Sequence, residues 1–249
     1  APPPFYGFIP ASHILHAPPP GQSPSPPSPS RYNRDVRFTT IFFDLDDTLY
    51  PPSSGLWPTL KGRINRYMVE RLGIPEQDVP ALRERYFEAY GTTLRGLQAN
   101  YAVDMPDYLA YVHDVRLADY IHPDPVQQAV LASLPTRNLV FTNADVQHAR
   151  RVLQVLEIGQ YFAGVVDVNL MDPYCKPSPE AFNRALQAAG ESDPSRCVMI
   201  DDLPRTTRAA MRFGFHALLY GPETGNGDAQ AAFTDWRDLP RLLEAARAG

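Results

Sequence analysis

Residues 38–43, Phe-Thr-Thr-Ile-Phe-Phe, form an apolar, β-branched and aromatic run without apolar–polar alternation. Such a run reads as a central strand buried on both faces. After Thr48 the rhythm changes. Leu60, Ile64, Tyr67, Met68 and Leu72 recur at helical spacing, and Gly73 closes the segment. Pro80–Tyr90 reads as a second helix ended by Gly91, and a third follows Pro106, with Leu109, Val112 and Val115 on one side. No strand pattern occurs between Tyr50 and Arg137. From Asn138 strands and helices alternate. The strands are Asn138–Thr142, Gly164–Val168, Cys197–Asp201 and His216–Tyr220; the helices are Ala144–Leu156, Pro179–Ala189, Pro204–Phe213 and a closing Leu239–Ala248. This alternation predicts an α/β fold, a parallel sheet with helices on both faces. The helical stretch is then an all-helical cap inserted after the first strand. The expected division is a core of residues 37–51 and 131–249, with a cap of residues 52–130.

Residues 1–36 differ in kind. The first 30 hold eleven prolines and no Asp, Glu, Lys or Arg, and include the low-complexity stretch Ser23-Pro-Ser-Pro-Pro-Ser-Pro-Ser30. That composition favours extended, solvated backbone and cannot build a core, so a disordered tail is expected. A targeting remnant and a partner-docking segment are the other readings of it. The remaining composition is ordinary for a globular protein, with a formal net charge of −5 over 249 residues. No basic run points to nucleic acid, and no apolar run approaches the roughly 20 residues that span a bilayer. Two cysteines, Cys175 and Cys197, cannot form a disulfide framework and suit a reducing, cytoplasmic setting.

The chemistry begins where the first strand stops. Asp44, Asp46 and Asp47 crowd into four residues. On an extended backbone residues two apart point the same way, so Asp44 and Asp46 share one patch at the strand's C-terminal end. That edge of an open α/β sheet is where ligands bind. Crowded carboxylates need an offset for their repulsion, and a hard divalent cation with oxygen ligands provides one. Thr142-Asn143 and Asp201-Asp202 end further strands, and Lys176 opens a helix within Cys175-Lys-Pro-Ser-Pro-Glu180. If the strands are parallel, these groups gather at one edge. Carboxylates, a hydroxyl–amide pair and a lysine are the parts needed to hold a metal beside a phosphoryl group.

Asp44-Leu-Asp46-Asp47-Thr48, Thr142-Asn143, Lys176-Pro177 and Asp201-Asp202 resemble, in order and spacing, the four motifs of the haloacid dehalogenase (HAD) superfamily of phosphohydrolases. The resemblance runs from Phe38 to Tyr220 and implies a Rossmann-like core. Flanking segments are similar to the pyrimidine 5'-nucleotidase subfamily: Phe42–Pro51, Tyr90-Gly-Thr-Thr93 with Arg95-Gly-Leu97, Phe141-Thr-Asn-Ala-Asp145 with His148-Ala149, and Cys175–Phe182. The resemblance implies Asp44 as nucleophile and Asp46 as general acid and base. It implies Mg2+ held by Asp44, the main-chain carbonyl of Asp46, Asp201 and Asp202. Thr142 and Asn143 would bind phosphate, and Lys176 would stabilise the transferring group. The family often places Asn or Asp four residues after the last motif aspartate; Thr206 stands there instead.

Beside these stand plainer readings. Asp47 and Thr48 can cap the turn that leaves the strand, and Asp145 and His148, one helical turn apart, can be surface or capping residues. His113 and His122 have no partner at metal-ligand spacing and read as structural. Arg95 in the cap either reaches a substrate anion or stands exposed, and Thr92 is a cap candidate for substrate contact. The function expected is a magnesium-dependent hydrolase of a small phosphorylated metabolite, a pyrimidine nucleoside 5'-monophosphate by resemblance. The alternatives are a sugar phosphate, phosphoglycolate or a lysophospholipid phosphate as substrate, dehalogenation, or a non-catalytic binding protein.

Overall fold

A computed structural model describes residues 37–221 and 227–248; the Pro-rich tail lies outside them. Six strands form one sheet, every paired neighbour parallel, in the order β3-β2-β1-β4-β5-β6. They are β1 Thr40–Phe43, β2 Arg137–Phe141, β3 Gly164–Val166, β4 Cys197–Asp201, β5 His216–Tyr220 and β6 Ala231–Phe233. β1 sits between β2 and β4 and is wholly buried.

The two-residue period of a strand assigns its side chains to two cores. Ile41 and Phe43 join Val140, Val198 and Ile200 on one face, under α5 (Pro125–Ser133), α6 (Val146–Val155) and α10 (Leu239–Ala248). Phe42 joins Phe141 and Met199 on the other, under α8 (Pro179–Ala189) and α9 (Pro204–Phe213). Burying one such aromatic side chain contributes about 1.5–3 kcal/mol relative to leaving it exposed.

The cap is α1 (Leu56–Glu70), α2 (Val79–Tyr90), α3 (Thr93–Asn100) and α4 (Met105–His113). It has its own core of Ile64, Tyr67, Met68, Tyr86, Leu97, Tyr108 and Val112. Two glycines let it close up. A Cβ on Gly96 would lie 2.2 Å from the Tyr86 ring. Gly91 has φ +86°, and a Cβ there would meet Cys175 Sγ at 2.7 Å. So the end of α2 rests directly against the segment that carries Lys176.

Several elements differ from the sequence reading. Leu117, Ile121, Val130 and Leu131 pack into the sheet's core, so the stretch before residue 131 leaves the cap earlier than expected. Gly164–Val168 is a strand only to Val166, and Asp167 then caps the short helix α7 (Val168–Met171). The helices α3 and α5 and the edge strand β6 were not anticipated. β6 is three residues long, too short to show a period. No helix among the described residues is long and apolar enough to cross a membrane.

Candidate active site

Parallel pairing decides the site. Phe43 is level with Val140 and with Ile200, so the next residue, Asp44, comes level with Phe141 on one side and Asp201 on the other. The Asp44 amide continues the ladder by donating to Ile200 O at 2.8 Å. Asp44, Thr142 and Asp201 thus emerge side by side at the C-terminal edge of the sheet. Asp202 follows Asp201, and Lys176 enters from the loop before α8.

Lys176 is 3% exposed, and its ammonium donates to Asp44 Oδ1 at 2.6 Å and to Asp201 Oδ2 at 2.7 Å. Burial opposes the charge on Lys176, but Asp201 and Asp44 outweigh it and raise its pKa. Burial pushes Asp44 up to about 7 against the pull of Lys176. Burial, then Asp44 and Asp201, pushes Asp202 up to about 9. One ammonium therefore leaves this carboxylate group under-compensated. Oxygens of Asp44, Asp201 and Asp202 lie within 4.8 Å of one another, a set of hard donors suited to a divalent cation. The Asp46 carboxyl is outside that trio.

Asp46 is held differently. Its Oδ1 accepts from Tyr50 Oη at 2.6 Å and lies 3.0 Å from His148 Nε2. As a carboxylate Asp46 only accepts, and in that state His148 carries its proton on Nε2. Burial works to raise the Asp46 pKa, but His148 and Tyr50 outweigh it and lower it. His148 is 1% exposed and stacks on His113 with ring centroids 4.0 Å apart. His113 Nδ1 in turn lies 2.7 Å from Asp145 Oδ2. Asp145 caps α6 by accepting from the amides of Gln147 and His148.

The plainer reading of Asp145 as a cap thus describes it in part, while His148 as a surface residue is corrected: it is buried against Asp46. His113, the last residue of a cap helix, reaches the core through this stack. The signals were present in sequence, Tyr50 four residues after Asp46 and His148 one turn into the helix after Asn143. The Tyr50 contact is local to the turn after β1, whereas His148 has no meaning until β1 and β2 are known to be neighbours.

Thr142 and Asn143 stand at the end of β2. Thr142 Oγ1 accepts from the Ala144 amide at 3.0 Å. The Asn143 side chain accepts from Lys176 N at 2.8 Å and donates to Lys176 O at 3.1 Å, so it clamps the lysine's main chain. Thr48 is fully buried and its hydroxyl donates to Asp44 Oδ2 at 3.3 Å. Thr206 lines the same cleft.

Arg95 is neither exposed nor aimed at a substrate, which corrects both readings of it. It donates to Asp172 Oδ1 at 2.6 Å, Tyr174 O at 2.9 Å and Val168 O at 3.1 Å, strapping the cap to the α7 region. Thr92 caps α3 by accepting from the Arg95 amide and also lines the cleft. The cleft between cap and core has a volume of about 490 Å³.

Residues 38–214 match the haloacid dehalogenase-like hydrolase family. The chain belongs to that family. Phosphate metabolism protein 8 of Saccharomyces cerevisiae is 28% identical over 194 residues, covering 72% of this chain and 60% of that protein. The haloacid dehalogenase-like hydrolase thus spans about 60% of the length of that curated relative. Solved structures share the fold at low identity. A HAD phosphatase from Thermococcus onnurineus aligns over 83% of this chain and 98% of its own, with a TM-score of 0.57 and 16% identity. The magnesium-bound HAD-hydrolase YfnB from Bacillus subtilis covers 83% and 99%, with a TM-score of 0.54 and 14% identity. An L-2-haloacid dehalogenase from Xanthobacter autotrophicus, with chloropropionic acid covalently bound, covers 83% and 98% at a TM-score of 0.53 and 15% identity. A fold shared by a phosphatase and a dehalogenase leaves the reaction to be argued from the side chains.

Proposed function

We propose that this HAD-like hydrolase is a magnesium-dependent phosphomonoesterase that works through an aspartyl phosphate on pyrimidine nucleoside 5'-monophosphates. The observation that carries the reaction class is Asp46. A second carboxyl, two residues from Asp44 and fixed by Tyr50 and His148, serves phosphate ester hydrolysis, where a leaving alkoxide must be protonated. Dehalogenation releases a halide and needs no such acid.

In the first step Asp46 enters as the neutral carboxylic acid: an Asp44 oxygen attacks phosphorus, the ester P–O bond breaks, and the leaving oxygen takes the proton of Asp46. In the second step Asp46 takes a proton from water as the water oxygen attacks phosphorus. The bond to Asp44 then breaks and inorganic phosphate leaves. Lys176 faces Asp44 and is placed to stabilise charge on the transferring group, with the Thr142 hydroxyl beside it. Asn143 contributes by holding Lys176. Asp44, Asp201, Asp202 and the main-chain carbonyl of Asp46 would hold magnesium, which supplies positive charge against the phosphate oxygens. Activity is expected to fall to background in EDTA and to return with magnesium but poorly with calcium, which prefers more ligands and looser geometry. Full turnover in chelator would overturn the metal assignment.

The substrate rests on resemblance in the flanks and on the cleft. Its volume is in the range of small-molecule sites, and Trp57 and the uncovered face of Phe87 on its cap side offer aromatic surface to a planar base. UMP and CMP are expected to exceed AMP, GMP, phosphoglycolate and glucose 6-phosphate in kcat/KM by at least about tenfold, or about 1.4 kcal/mol in transition-state binding. A tenfold win for any of the others would end the nucleotidase reading and leave the phosphatase reading standing.

A further inference from the structure

The cap helix α2 presents Pro80, Arg83, Glu84 and Phe87 to the cleft, the i, i+3, i+4, i+7 stripe of one helix face. Three of these have evident surroundings. Pro80 occupies the first turn, where a missing N–H costs nothing. Glu84 is exposed. Phe87 is covered on one face by the Arg205 guanidinium, 3.4 Å from its ring centroid, and Arg205 also donates to the main chain at Phe87 and Gly91. Arg83 is the anomaly. It is half-buried and makes no hydrogen bond or ion pair among the described residues, not even with adjacent Glu84. Its Nε is buried without a partner like those of Arg95 and Arg205, but those two pair through their other nitrogens and Arg83 does not.

Other arginines near the cleft are committed. Arg95 is tied to the α7 region and Arg205 to the end of α2. A guanidinium has five N–H donors in a rigid planar fork, and a buried donor without an acceptor carries a desolvation penalty. Such a group belongs where an acceptor arrives with the ligand. Lys176, Thr142 and the carboxylates lie on the core side of the cleft, whereas Arg83 stands on the cap side with Trp57 and Tyr108. The part of a substrate that meets it is the leaving group.

We infer that Arg83 is a specificity-determining residue that donates to a carbonyl-type oxygen on the leaving group. Resting on the nucleotide reading above, that oxygen is O2 of the pyrimidine ring. O2 is common to uracil and cytosine, which accounts for acceptance of both bases. Adenine has no exocyclic oxygen to offer, so AMP leaves the fork unpaired.

The test compares wild type with Arg83→Met, which keeps the aliphatic stem, and Arg83→Lys, which keeps charge without the fork. The substrates are UMP, CMP and phenyl phosphate, whose leaving group has no carbonyl. Arg83→Met is expected to lose at least about tenfold more kcat/KM on UMP and CMP than on phenyl phosphate, mainly through KM, with Arg83→Lys between. The melting temperature should stay near wild type, because no protein contact is lost. Equal losses on all three substrates, or no loss on any, would overturn the assignment. The wild-type panel judges the nucleotide reading separately. If another ester wins there, the same ratio against phenyl phosphate, measured on that ester, judges Arg83.

Discussion

Asp44→Asn is expected to fold like the wild type and to retain less than about 1% of its turnover, the loss of a group whose role cannot be shared. An amide is a poor nucleophile and a weak ligand for a hard cation. Asparagine has the same shape, and Asp44 sits 8% exposed in a site where burial already favours its uncharged form. The substitution therefore keeps the side chain's shape in a site that tolerates a neutral group, and it opens no cavity. Circular dichroism and a melting curve would report the fold, and phosphate release the chemistry. Residual turnover above about 1%, after excluding contaminating phosphatase, would mean that Asp44 is not the nucleophile.

Lys176→Met is expected to damage both stability and rate. The ammonium bridges Asp44 and Asp201 at 2.6 and 2.7 Å in a site almost closed to water. Taking away one partner of a buried ion pair costs about 3–5 kcal/mol, which for a chain of this size is a fall of roughly 6–20 °C in melting temperature. Proton uptake by the stranded carboxylates moves the result toward the lower end. Below the variant's own melting transition, kcat should fall by about 10²–10³, the usual loss when one preorganised donor to a developing charge is removed. A kcat within tenfold of wild type would show that Lys176 serves only to hold the carboxylates together.

Much of the fold was written into local pattern. β4, α8, α9, β5 and α10 lie where periodicity and flanking Pro or Gly put them, because long periodic segments state their face and their ends. α3, α5 and β6 were missed for the opposite reason. α3 holds Gly96 and little apolar period of its own, and β6 is a three-residue edge strand that exists because β5 is there to pair with. The early end of the cap has the same origin. Leu117 and Ile121 are ordinary apolar residues in sequence, and only packing assigns them to the sheet's core.

The sequence by itself determined the parallel sheet with its helices, and it nominated Asp44, Asp46, Thr142, Asn143, Lys176, Asp201 and Asp202 as candidates at its edge. Residues two apart on a strand, or at the end of successive strands, have their positions set by backbone geometry alone. Tertiary structure decided what each of these touches. Asn143 holds Lys176, His148 and Tyr50 hold Asp46, and Arg95 braces the cap in place of facing the cleft. It also decided which cap residues point inward. Trp57, Leu60, Lys61 and Ile64 of α1 and Pro80, Arg83, Glu84 and Phe87 of α2 each form one helical stripe, yet a mixed stripe is as consistent with solvent as with a cleft. The rotation of a helix about its axis is fixed by what it packs against. Here that is the cap's own core of Tyr67, Met68, Tyr86 and Val112, assembled from segments far apart in the chain.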